Sequence, residues 1–109
     1  MFNEGVVDLG SPQTHAKVAV ANTATKPLTV LDNYDYARIV VQDNDIYWTV
    51  DGTNPTNTAG GGLGFFADVS TGAGCDIFLN KKELHGFKAI NAVSASVGNM
   101  QVCYYQKIR

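Results

Sequence analysis

Along most of this chain apolar and polar residues alternate with a period of two, in short runs bounded by Gly, Pro, Asn and Asp. Residues 16–22 (Ala-Lys-Val-Ala-Val-Ala-Asn) place Val18 and Val20 on one face of a strand. A turn over 23–27 leads to a short apolar run at 28–31, the second predicted strand. Residues 36–42 (Tyr-Ala-Arg-Ile-Val-Val-Gln) give a strong strand pattern. Asp43-Asn44 then forms a tight connection to a returning strand at 45–50, a spacing that predicts a β-hairpin with a primed turn. In that returning strand Ile46, Trp48 and Val50 face one way, and Tyr47 and Thr49 the other. Four more strands are predicted at 63–69, 75–79, 87–93 and 100–105. In the last, Met100, Val102 and Tyr104 alternate with Gln101, Cys103 and Tyr105, one buried face and one half-exposed. Only residues 81–84 could make a helical turn. About eight short strands separated by turn residues define an all-β fold, a β-sandwich, jelly-roll-like sandwich or small barrel.

The length of 109 residues allows one domain. Residues 1–15 show no sustained period and read as an extended N-terminal arm with a short strand at Val6-Val7; residues 16–109 form the single sandwich domain. Hydrophobic residues make up 45% of the chain, an ordinary share, but charged residues only 17%, against a usual value of about 25%. A surface built from Asn, Thr, Ser and Gly suits a protein that sits against a large partner or against its own copies. The formal net charge is −2, and Lys81-Lys82 is the only basic pair, so nucleic acid is not an expected partner. The N-terminus carries neither a basic nor an apolar signal region, and no apolar run approaches the roughly 20 residues needed to span a bilayer, so neither secretion by a signal peptide nor a membrane partner is expected. Cys75 and Cys103 read as reduced, buried small hydrophobes; the sharper alternative is a bridge between two strands.

No motif in the chain carries an obvious chemistry. Gly62-Leu63-Gly64-Phe65-Phe66-Ala67 formally matches a dinucleotide fingerprint, but a Gly-rich loop precedes it and no helix is predicted after it, so the match is accidental. His15 and His85 have no Cys, Asp, Glu or His at ligand spacing, and no metal or other cofactor is expected. A Cys-His pair from Cys75 or Cys103 with His85 is disfavoured, because apolar strand surroundings leave a thiol inert. Asp32, Asp35, Asp43, Asp45 and Asp51 are explained as turn formers, and Asp43-Asn44-Asp45 lacks the Gly and Glu of a calcium loop. No nucleophile, base and orienting group can be assembled, so an enzyme is not expected. Tyr34, Tyr36, Tyr47, Trp48, Phe65, Phe66, Tyr104 and Tyr105 would fill the core or an interface, or line a sugar-binding face.

The segment Tyr47-Trp48-Thr49-Val50-Asp51-Gly52-Thr53-Asn54-Pro55-Thr56 resembles the W-x-x-D-G-T-x-P-T signature of small structural proteins of tailed bacteriophages. The resemblance continues through the Gly-rich loop, Leu84-His85-Gly86-Phe87-Lys88-Ala89-Ile90 and Val102-Cys103-Tyr104-Tyr105, covering roughly residues 36–105 and leaving out the arm. It implies a virion component assembled in the host cytoplasm: a capsid decoration (cement) protein on the outside of the shell. Its partners would be the major capsid protein and its own copies in a dimer or trimer. The alternatives are a tail- or fibre-associated module holding a host glycan, and a small β-sandwich hydrolase. Expected interface residues are Phe2, Val6, Val7 and Leu9 in the arm, and Thr53, Asn54, Pro55 and Thr56 in the loop at 53–62.

Overall fold

The computed structural model describes residues 10–58, 61–92 and 98–107. Seven strands and one short helix follow one another in these residues: β1 (Ser11–Val20), β2 (Tyr36–Val41), β3 (Ile46–Thr49), β4 (Phe65–Ala67), β5 (Asp76–Asn80), α1 (Lys81–Gly86), β6 (Lys88–Asn91) and β7 (Gly98–Gln106). They form two antiparallel sheets, one ordered β1-β7-β2-β5 and the other β4-β3-β6. The period-two pattern is realised as burial: Met100, Val102 and Tyr104 are buried, while Gln101, Cys103 and Tyr105 are half-exposed. Ile39, Ile77 and Val102 from the four-stranded sheet share one apolar cluster with Ile46, Ala67 and Ala89 from the three-stranded sheet. The core therefore lies between the two layers, and the all-β single-domain reading holds.

The hairpin expected over 36–50 does not form. β2 pairs with β5 and β7 in one sheet, whereas β3 pairs with β4 and β6 in the other. Asp43-Asn44 is a corner between layers. A type I′ turn needs positive φ at both central residues, and no described non-glycine residue has positive φ. The side chains here reach elsewhere instead: Asp43 Oδ2 accepts from the Asn99 backbone and side-chain N–H groups at 3.2 and 2.9 Å, and Asp45 Oδ1 accepts from Val69 N at 2.8 Å.

Three further boundaries differ. The strand expected at 28–31 is absent: Leu28 is buried, but Thr29 N donates to the Tyr104 hydroxyl at 2.9 Å rather than to a neighbouring strand. That hydroxyl belongs to a pair of stacked rings, Tyr34 and Tyr104, whose centroids lie 4.4 Å apart. β1 begins at Ser11, so residues 11–15, expected in the arm, pair with β7 instead; the arm positions Phe2, Val6, Val7 and Leu9 lie outside the described residues. The helical turn expected at 81–84 extends to Gly86. Asn80 Oδ1 accepts from Glu83 N while Glu83 Oε1 accepts from Asn80 N, closing a reciprocal cap.

Candidate interaction surface

The Trp48 strand and the turn after it build a corner of the three-stranded sheet. Trp48 sits in the middle strand with its ring between Phe65 and Phe87, at centroid distances of 4.8 and 5.9 Å. It packs against the core as Ile46 does, on the face opposite to Tyr47, which meets Phe66 at 5.0 Å on the outer face. Gly52 takes φ 85°, the conformation the Asp-Gly turn requires. Its N–H donates to Gly86 O at 3.1 Å, so the end of α1 braces the corner. A Cβ on Gly86 would stand 2.1 Å from Val50 O, which leaves no room for any side chain there.

The described residues of the loop after the turn are held at several points. Asp51 Oδ1 accepts from Thr53 N at 3.0 Å, the Thr49 hydroxyl donates to Thr53 O, and Lys88 Nζ donates to Asn54 Oδ1 at 2.7 Å. Thr56 and Leu63 exchange two bonds, Thr56 N to Leu63 O at 3.1 Å and Leu63 N to Thr56 Oγ1 at 2.8 Å. Asn57 Nδ2 donates to Asn91 O at 2.8 Å. Of the expected interface residues, Thr53, Asn54 and Thr56 are exposed, but Pro55 is fully buried. Pro55 holds the corner to the sheet, with its ring near Gly64, and presents nothing to a partner.

The largest apolar exposure beside this corner was not among the expected interface residues. β4 is an edge strand, and Leu63, Phe65 and Phe66 are 53%, 61% and 44% exposed. The signal was present as three large hydrophobics in four positions of a Gly-rich stretch, but the alternation rule could not say that their strand would lie at an edge. The accidental fingerprint lies in the same stretch: Gly62 closes over the Tyr47 ring, and a strand follows it. Between the turn and the edge lies an open depression of about 370 Å³ lined by Thr49, Val50, Asp51, Gly64 and Phe65.

The outer face of the four-stranded sheet carries the other polar cluster. Arg38 bonds both Asp76 oxygens at 3.0 and 3.1 Å and lies 5.5 Å over the exposed Phe78 ring. His15 Nε2 lies 2.7 Å from Gln101 Oε1, and the Cys103 side chain pushes the Tyr105 phenol up. Cys103 is half-exposed here rather than buried as expected, whereas Cys75 is buried and its thiol is pushed up by that burial. His85 lies in the last turn of α1 and is exposed. The eight aromatics share no single face: Tyr34 and Tyr104 are core, Phe65 and Phe66 are exposed, and the others are half-buried.

These observations define a two-layer antiparallel β domain with a braced corner and an apolar edge. No family model, no curated protein and no solved structure matches the chain.

Proposed function

We propose that this chain is a structural protein of a tailed-bacteriophage virion, a capsid decoration (cement) protein that binds the outside of the shell and holds capsomer contacts. One observation carries this reading: the exposed Phe65 and Phe66 of an edge strand, with Leu63 just before it, beside the corner that bears the D-G-T-x-P-T signature. An apolar edge of this kind calls for a cover, because its surface is both hydrophobic and open to strand pairing. The cover is the major capsid protein, and the same surface chemistry supports assembly of the chain into a dimer or trimer. The low share of charged residues, 17%, keeps the cost of desolvating such a contact small.

The mechanism is thermodynamic. A protein that binds the assembled shell and not its separated subunits shifts the equilibrium toward assembly by mass action. Many copies, each held weakly, add up through multivalent attachment. No proton transfer or bond cleavage is involved, and no cofactor is needed. The test is mass spectrometry of purified virions of the phage that encodes the chain, with cryo-electron microscopy to locate it. Density for a two-layer β domain on the shell exterior is the expected result. Absence from particles overturns the reading. Location in the tail, with sugar-dependent changes in Trp48 fluorescence, transfers the chain to the glycan-binding class.

A further inference from the structure

The depression between the Asp-Gly turn and β4 has a more specific chemistry than the apolar edge around it. It is lined by the apolar Val50 and Phe65, by Gly64, and by the polar Thr49 and Asp51. Its volume of about 370 Å³ has room for one long side chain. Phe65 rests against Trp48 at a centroid distance of 4.8 Å and remains 61% exposed. Asp51 is exposed, and its turn holds it ionised: hydrogen bonds from the Thr53 backbone and hydroxyl keep the carboxyl below the usual carboxylate range. Among the described residues no Lys or Arg pairs with Asp51; the two ion pairs are Arg38–Asp76 and Lys81–Asp35. Lys88, opposite Thr49 on β6, is engaged with Asn54.

The other sheet already displays what such a pairing of ring and carboxylate accepts. On its outer face the guanidinium of Arg38 makes two bonds to Asp76 and lies over the Phe78 ring. There a carboxylate fixes the fork of the guanidinium and an aromatic face supports its plane. Asp51 and Phe65 offer the same two groups around one depression, with apolar walls for the methylene stem.

We propose that this corner pocket receives an arginine side chain of the partner protein, with the guanidinium on the Asp51 carboxylate and against the Phe65 ring. The proposal rests on the reading of this corner as the face turned to a partner. Charge complementarity selects the occupant. An apolar side chain would cover an ionised carboxylate without satisfying it, and an acidic one would meet it charge to charge.

The full chain, labelled with nitrogen-15, is titrated with N-acetyl-arginine amide and separately with the uncharged N-acetyl-citrulline amide, following backbone amides by NMR. Concentration-dependent shifts are expected at Asp51, Gly64 and Phe65 with the arginine probe, and binding about three- to fivefold weaker with citrulline. Asp51→Asn should weaken arginine binding by about the same factor, and Phe65→Leu by about two- to threefold. Both side chains are exposed, so both variants keep the fold, which the dispersion of the spectrum checks. Equal binding of citrulline, or shifts only at Asp76 and Phe78, overturns the proposal, as does the absence of shifts at the corner. Shell binding by a chain whose corner ignores the probe would discard the arginine and leave the docking role intact.

Discussion

Hydrogen bonds within their own turns hold Asp51 and Asp68 below the usual carboxylate range, and this contributes to how the protein responds to acid. Asp68 is held below the usual carboxylate range chiefly by the Ser70 side chain, whose hydroxyl donates to Asp68 Oδ1 at 2.7 Å, and Asp51 by the Thr53 N–H and hydroxyl. A folded-state pKa below the unfolded one adds stability that is complete above about pH 4 and is lost as the pH falls through the folded value. Urea midpoints should therefore hold steady from neutral pH down to about pH 4 and fall below it, with a shallower fall in Asp68→Asn; an unchanged slope in that variant would contradict the assignment. The cysteines differ in the same local way. Cys103 should react with an aromatic disulfide reagent well before Cys75, which is buried and whose thiol is pushed up. Labelling of Cys75 first would count against the placement of these strands. The sequence pattern assigned Cys103 to the half-exposed face of its strand, yet the default for an unpaired thiol put it in the core; the face assignment was the better guide.

At the scale of elements, alternation located most strands to within a few residues but did not assign them to sheets. Tyr36–Val41 and Ile46–Thr49 look like two arms of one hairpin because their connection is short and polar. The distinction lies in distant partners, the Asp43–Asn99 and Asp45–Val69 bonds, which no local window contains. The missing strand at 28–31 has a similar cause, since a tyrosine hydroxyl 75 residues away takes the Thr29 amide. Burial of Pro55 was equally hidden, because it depends on how the loop folds back through Thr56 and Leu63. The turn itself was legible from Asp51-Gly52 alone. Its brace is testable through Gly86→Ala, where the new methyl group would meet Val50 O at 2.1 Å. Relieving that overlap should cost about 2 kcal/mol and lower the melting temperature by about 10 °C. A melting temperature within a degree or two of the parent would show that α1 does not brace the corner.

For the whole molecule, two sheets enclose one core and leave different surfaces outside. The four-stranded face satisfies its own charges through the Arg38–Asp76 pair, and the bridge between Thr25 and Ala89 covers the β6 edge. The β4 side keeps Leu63, Phe65 and Phe66 in solvent beside the braced corner. A rigid scaffold with an apolar edge is suited to docking, and in the proposed function this edge docks on a shell. The direct measurement is co-sedimentation of the purified protein with shells that lack it, together with calorimetry of the shells. The parent chain is expected to bind and to raise the shell melting temperature, while a folded Phe65→Ser/Phe66→Ser variant binds at least about tenfold more weakly, the loss expected when two aromatic anchors are removed. Equal binding by that variant, or a parent chain that leaves the shells unbound and their melting unchanged, would contradict it.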